Sequence, residues 1–169
     1  MNKSVRDYYN FKIFKEFEYN SIYRSLVGEE ESFQFIDTEE YILSKFQMYQ
    51  IFHNLILRTR DVTGKSYLYR GLNEKIITDN LIGKEVIFTA FSSSTFDIDL
   101  AIEYGDKQLL ILEVDENIPA FEMLIGWNSE QELLIIDNSK WKVISRQENK
   151  YTDLVRVTDI FLLKYICYL

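Results

Sequence analysis

The stretch WNSEQELLII, residues 127–136, places two carboxylates directly before an apolar run. Alternate side chains of a strand share one face, so a strand in this stretch would put Glu130 and Glu132 side by side. Like charges at that spacing repel each other, and a purely structural strand gains nothing from them. Trp127 stands shortly before Glu130, at a predicted turn. We therefore expect a cationic group to bind at this rim of the sheet.

The composition indicates an ordinary globular domain. The 169 residues fit one domain, 1–169, with 47% apolar and 27% charged residues. The net charge of −8 argues against specific nucleic-acid binding. The single cysteine, Cys167, excludes a disulfide scaffold, and with only one histidine, His53, a zinc site of ordinary ligands is not expected.

The N-terminal residues predict where the protein is made. They lack the apolar core of a signal peptide, and the longest apolar runs of the chain are too short to cross a bilayer. We expect a monomeric, cytoplasmic protein without membrane association. Action inside a host or target cell stays open.

The pattern of apolar residues changes along the chain. Residues 1–60 predict helices, and one of them begins near Glu39 after a cap at Asp37 or Thr38 and ends near Arg58. Residues 65–169 predict a β-rich core with one short helix over 97–104, capped by Thr95 or Asp97. The predicted strands cover 66–70, 85–91, 108–114, 132–136, 140–145 and 154–164. This order indicates an α+β fold with mainly antiparallel pairing.

Three chemical elements occur in order along the β-rich part. Arg70 closes a strand beside Gly71, which suits an anion because the guanidinium fork binds phosphate and glycine lets the backbone approach. A hydroxyl cluster follows at 92–95, and the Glu130/Glu132 pair comes third. Taken singly, each has an ordinary explanation: a surface salt bridge, a helix cap or a solvated acidic turn.

Together these elements resemble the motifs of the Arg–Ser–Glu class of mono-ADP-ribosyltransferases, over about residues 40–165. Residues 67–72 resemble the first-strand arginine motif, and residues 91–95 resemble the aromatic-X-Ser-Thr-Ser motif with Ser93 as its leading serine. Residues 130–132 resemble the Glu-X-Glu motif. The resemblance implies two mainly antiparallel sheets that form an NAD cleft.

The resemblance also implies a role for each motif residue. NAD would be the co-substrate, without a metal, and Glu132 would accept a hydrogen bond from the ribose 2′-hydroxyl while Ser93 holds it in place. A fixed carboxylate lowers the barrier to an oxocarbenium-like transition state. The residues implied to bind NAD are Arg70, Gly71, Phe91, Ser93, Ser94 and Thr95.

The acceptor side of the site is implied by the same resemblance. Glu130 would pair with an arginine of a target protein and assist its deprotonation, which free arginine does not undergo. Trp127 would recognise the target protein. The implied reaction is transfer of ADP-ribose from NAD to that arginine.

The sequence departs from the family pattern at three places, one of which is Ala90, where relatives often carry Gly or Asn. Ser94-Thr95 stands where Thr-Ser is usual, and no second arginine follows before Tyr104. Lys107 is a candidate for the phosphate contact that such an arginine makes in several toxins.

The sequence also allows other functions. An NAD glycohydrolase would use water as the acceptor, and a catalytically silent module would use the acidic rim to hold a basic protein. The His–Tyr–Glu class of transferases needs an early histidine in a strand. His53 lies in a predicted helix instead, as a partly buried residue.

Overall fold

The structure, a computed structural model, describes residues 39–59, 61–123, 132–148, 157 and 159–169. The prediction of helices within residues 1–38 falls outside this set. So do the two predicted acceptor-side residues, Trp127 and Glu130.

Helix α1, Glu39–Arg58, begins and ends where the sequence predicts. Arg58 in its last turn suits the helix dipole. Thr59 follows the helix and is buried. Its hydroxyl lies 2.9 Å from the carbonyl oxygen of Leu55 and 2.9 Å from that of Ala120. The C-terminal end of α1 is therefore tied to a distant strand.

The described strands form one hydrogen-bonded sheet in the order β2-β7-β8-β4-β1-β3-β6-β5. Only β4 and β8 pair in parallel, and every other neighbouring pair is antiparallel. This confirms the predicted α+β fold with mainly antiparallel pairing. The strands are β1 (Ser66–Leu72), β2 (Glu85–Phe88), β3 (Ser92–Thr95), β4 (Gln108–Val114), β5 (Ala120–Met123), β6 (Glu132–Ile135), β7 (Ser139–Gln147) and β8 (Asp159–Tyr168).

The sheet has a weak junction between β1 and β3. Strand β1 pairs with β4 along its whole length, from Ser66 to Leu72. Its pairing with β3 is a single register pair, Tyr69 with Thr95. We call this junction the seam. It divides the sheet into a five-stranded part (β2, β7, β8, β4 and β1) and a three-stranded part (β3, β6 and β5). The two expected sheets are thus two parts of one sheet.

The hydroxyl cluster differs from its prediction. The sequence predicts a strand over 85–91 and none over 92–95, but β2 ends at Phe88 and residues 92–95 form β3. This short polar segment becomes a strand because β1 and β6 supply hydrogen-bonding partners on its two sides. The predicted strand over 154–164 is observed as Asp159–Tyr168, and residues 154–156 lie outside the described residues.

The main core lies under the five-stranded part and extends to the three-stranded part. Trp141 and Leu163 are fully buried there, and they pack with Ile135 of β6. Helix α2, Ile98–Tyr104, packs against β1 after an N-cap by Asp97. The contact is so close that a Cβ on Gly71 would lie 1.8 Å from the carbonyl oxygen of Ala101. Glycine at position 71 is therefore required by packing.

Candidate active site

The junction between the two parts of the sheet brings three predicted site residues together. Arg70 follows Tyr69, the only residue of β1 that pairs with β3. Thr95, the partner of Tyr69, also pairs with Glu132 at the start of β6. Ser93 lies two residues before Thr95, on the same strand. Arg70, Ser93 and Glu132 therefore meet at the seam, each only partly buried.

Hydrogen bonds connect these three residues into a chain. The Nη1 atom of Arg70 donates to the carbonyl oxygen of Ser93 at 2.9 Å. The hydroxyl of Ser93 donates to Oε1 of Glu132. The serine is thus held by its backbone on one side and by its side chain on the other. A carboxylate that accepts a positioned hydroxyl proton keeps a defined direction, which electrostatic catalysis requires.

The other residues of the serine motif face into the protein. The Ser94 hydroxyl is buried and donates to the carbonyl oxygen of Leu133 at 3.1 Å. The Thr95 hydroxyl is buried and accepts from the backbone N–H of Asp97 at 3.1 Å. Among the hydroxyls of this motif, the Ser93 hydroxyl is the one bonded to Glu132. Ser94 and Thr95 support the site through the backbone of β3 and the cap of α2.

Two further predicted cofactor residues lie behind the seam. The Phe91 side chain is 1% exposed, and its ring centre lies 5.4 Å from that of Tyr49 and 6.2 Å from that of Phe52, both on α1. Gly71 is enclosed by the backbone of α2. The structure therefore accounts for Phe91 and Gly71 as packing residues that shape the site from the rear.

Lys107 lies in the turn between α2 and β4 and is exposed. Its backbone N–H donates to the carbonyl oxygen of Leu72 at 3.1 Å, just past Arg70 on β1. Within the described part of the chain, no group of His, Cys, Asp and Glu side chains is arranged to hold a metal ion. No described helix has the length and apolar character needed to cross a membrane.

Several solved structures share the arrangement of strands and helices seen in this chain. BECa, an ADP-ribosylating toxin of a binary enterotoxin of C. perfringens solved with NADH, aligns with a TM-score of 0.62 over 95% of this chain and 43% of its own, at 14% identity. Plx2a, an ADP-ribosyltransferase toxin from Paenibacillus larvae, aligns with a TM-score of 0.64 over 98% of this chain and 87% of its own, at 10% identity.

The chain has the fold of ADP-ribosyltransferase toxins. Exoenzyme S from Pseudomonas aeruginosa, solved with human 14-3-3 protein beta and carba-NAD, also shares it, with a TM-score of 0.64 over 94% of this chain and 72% of its own, at 10% identity. The chain spans less than half the length of BECa. No family model matches the sequence, and no curated protein matches it.

Sequence reasoning missed one cluster of this ADP-ribosyltransferase fold, at the end of the three-stranded part away from Glu132. Asp137 is buried after β6, and it is bonded to Tyr49 and His53 of α1. His53 is a partly buried helix residue, as predicted, but it has a carboxylate partner. The available signal was Asp137 itself, a charged residue directly after the apolar run 133–136, which must find partners if it is buried.

Proposed function

We propose that the protein transfers ADP-ribose from NAD to an arginine side chain of a target protein and releases nicotinamide. The observation that carries the proposal is the hydrogen-bonded chain from Arg70 through Ser93 to Glu132 at the seam of the sheet. The fold supports it, since BECa is an ADP-ribosylating toxin solved with NADH and Exoenzyme S was solved with carba-NAD. We expect the protein to act as a monomer on a protein substrate.

The residues at the seam fit the groups of NAD. A guanidinium at position 70 suits the pyrophosphate or the neighbouring ribose, because its donors match phosphate oxygens. The Glu132 carboxylate suits a ribose hydroxyl, which needs an acceptor. The guanidinium of Arg70 and the carboxylate of Glu132 would be held in place by the residues packed behind them, Gly71, Phe91, Ser94 and Thr95.

The proposed reaction breaks one glycosidic bond and forms another. The bond between the ribose anomeric carbon and nicotinamide breaks, and its electron pair leaves with nicotinamide as a neutral molecule. Glu132 stabilises the positive charge that develops on the ribose. A guanidinium nitrogen of the target then attacks the anomeric carbon, and Glu130 takes the proton that this nitrogen loses. No metal or redox partner is needed for this balance.

NAD hydrolysis is the second candidate function. Arg70, Ser93 and Glu132 would serve cleavage of NAD equally well with water as the acceptor. Glu130 and Trp127 favour transfer, because a carboxylate before the catalytic position suits a guanidinium and an aromatic residue suits a protein surface.

The test measures cleavage and transfer separately. Purified protein is incubated with labelled NAD and agmatine, and both released nicotinamide and labelled agmatine are measured. We expect transfer by the natural protein, and loss of transfer with part of the cleavage retained in Glu130→Gln. Free ADP-ribose without labelled agmatine or labelled protein would favour the hydrolase. No consumption of NAD would overturn both proposals and favour a binding module.

The target can be sought with the same material. The protein is added to bacterial and eukaryotic lysates with NAD, and modified peptides are identified by mass spectrometry. Modification on arginine supports the proposed acceptor, whereas modification confined to other residue types would contradict it. Glu116→Gln is the matched control for Glu130→Gln, because Glu116 is an exposed carboxylate in the turn between β4 and β5.

A further inference from the structure

Asp137 has a buried carboxyl group with three side-chain partners. Its side chain is 5% exposed, and an unpaired carboxylate at that depth would be costly. The Tyr49 hydroxyl donates to Oδ2 at 2.8 Å, and the Asn138 amide donates to the same oxygen at 3.2 Å. Nδ1 of His53 lies 3.0 Å from Oδ1. Asp137 is therefore bound to helix α1 through two side chains.

Tyr49 contacts two strands of the three-stranded part at once. Its hydroxyl binds Asp137, shortly after the end of β6, and its ring packs on Phe91, directly before β3. These two positions are neighbours, because β3 and β6 are antiparallel and Ser92 pairs with Ile135. We call this pair of contacts, the hydroxyl to Asp137 and the ring to Phe91, the Tyr49 clamp.

The same helix also reaches the third strand. Thr59 binds the carbonyl oxygen of Ala120, the first residue of β5. Ala120 pairs with Ile135, so it lies at the same end of the three-stranded part as the clamp. Helix α1 therefore braces one end of all three strands.

Glu132 of the candidate active site lies at the opposite end of these strands, whereas Ser93 lies between the two ends. Glu132 begins β6 and pairs with Thr95, the last residue of β3. Asp137 follows Glu132 by five positions, which is roughly 16 Å along extended chain at about 3.3 Å per residue. Tyr49 and Asp137 can act on Glu132 only through the strands, not by contact.

We propose that Tyr49 and Asp137 are positioning residues that keep β3 and β6 aligned so that the Ser93 hydroxyl meets the Glu132 carboxylate. The three-stranded part needs such a device because its strands are short and a single register pair joins it to β1. Small misplacements of catalytic groups cost large factors in rate. The effect on rate rests on the proposed function, whereas the effect on strand alignment does not.

The first experiment measures local opening by hydrogen exchange. Tyr49→Phe keeps the ring on Phe91 and removes the hydroxyl that binds Asp137. Val143→Ala is the matched control, since Val143 is fully buried on β7 in the five-stranded part. In Tyr49→Phe we expect amides of β3 and β6 to exchange at least tenfold faster, while those of β7 and β8 change less. Equal changes in both parts, or no change in β3 and β6, would overturn the proposal.

The second experiment uses kinetics of NAD cleavage well below the unfolding temperature. We expect Tyr49→Phe to lower kcat about tenfold with KM for NAD changed less than twofold, whereas Val143→Ala lowers Tm without lowering kcat. Asp137→Asn and the double variant complete a cycle, in which the double variant should be no slower than the worse single one. If the losses in kcat of the two single variants add up in the double variant, Tyr49 and Asp137 act independently, which would contradict a shared clamp.

The two experiments separate the failure of each proposal. If the natural protein does not cleave NAD, the proposed function fails, and hydrogen exchange alone decides whether the clamp aligns β3 with β6. If NAD is cleaved and Tyr49→Phe matches the natural protein in kcat and in exchange, the clamp fails and the proposed function stands.

Discussion

The five-stranded and three-stranded parts of the sheet are held together in different ways. In the five-stranded part, β7 and β8 pair over long stretches, and Trp141 of β7 is fully buried. In the three-stranded part, each strand has four residues, and helix α1 braces one end. Arg70 belongs to the first part, whereas Ser93 and Glu132 belong to the second.

This difference assigns separate tasks to the two parts. The well-paired part carries the guanidinium proposed to bind an anion, and the small part carries the hydroxyl and carboxylate proposed to act on the ribose. Strands that pair over short stretches need less free energy to open locally than strands of a well-paired sheet. The site therefore depends on how firmly the small part is held against the large one.

The largest effect is expected from Glu132 on the three-stranded part. Glu132→Gln keeps an acceptor for the Ser93 hydroxyl and removes the negative charge. We expect kcat for NAD cleavage to fall by about 10²–10³, the range for removing one preorganised electrostatic group. Nicotinamide release is the measurement, and Glu116→Gln should behave like the natural protein. A loss below tenfold would place the chemistry elsewhere.

The second prediction tests the packing of α2 against the five-stranded part. Gly71→Ala would place a methyl group against the backbone of Ala101, so α2 must move away from β1. We expect a loss of about 3 kcal/mol in the free energy of unfolding, at the upper end for overpacking. Gly64→Ala is the comparison, because Gly64 has a φ of 63° but open space around it. That variant should lose only about 1–2 kcal/mol.

The third prediction tests the bond that crosses the seam. Arg70→Lys replaces a planar fork with a point charge and loses the geometry of the bond to the Ser93 carbonyl oxygen. We expect kcat/KM for NAD to fall about 10- to 100-fold, since hydrogen bonds of charged groups contribute about 1.5–3 kcal/mol.

Arg146 provides the matched control for that substitution. It is half exposed on β7 and forms ion pairs with Asp79 and Asp159. Surface pairs contribute about 0–1 kcal/mol, so Arg146→Lys should change kcat/KM less than twofold. Equal losses in the two variants would mean that Arg70 serves the fold rather than the substrate.

The sequence predicts the regular elements of the five-stranded part well. Strand β4 occupies the predicted range 108–114, and α2 begins after Asp97 as expected. An apolar run between turns and a capping carboxylate are local signals, so they can be read without tertiary contacts. The seam residues Arg70, Ser93 and Glu132 were predicted from the resemblance of their ordered motifs to those of the Arg–Ser–Glu class.

The three-stranded part was harder to predict because its structure depends on distant partners. A run of hydroxyl residues has no apolar alternation, and β3 forms because β1 and β6 flank it. Tyr49 and Asp137 are 88 residues apart, and neither carries a motif. Their contact depends on how α1 lies across the strand ends, which periodicity does not reveal.

The smallest effect concerns the pH dependence of the Tyr49 clamp. Burial and the hydrogen bond to Asp137 raise the pKa of Tyr49 to about 12, from 10 for an ordinary tyrosine. Because the folded-state pKa is the higher one, the hydroxyl stabilises the fold fully below pH 10, and this contribution is lost as pH rises towards 12. At neutral pH we expect Tyr49→Phe to cost about 1–2 kcal/mol.

Thermal unfolding of the natural protein and Tyr49→Phe, at pH 7, 9 and 11, checks this sign. The difference in Tm should be constant from pH 7 to pH 9 and smaller at pH 11, because only the natural protein loses the contribution of a protonated hydroxyl. Tyr168→Phe controls for removing a hydroxyl at an exposed position of β8, and its Tm at pH 7 should match the natural protein. A difference that grows between pH 9 and 11 would have the wrong sign for a donor to Asp137. The hydroxyl would then not be what joins α1 to the three-stranded part.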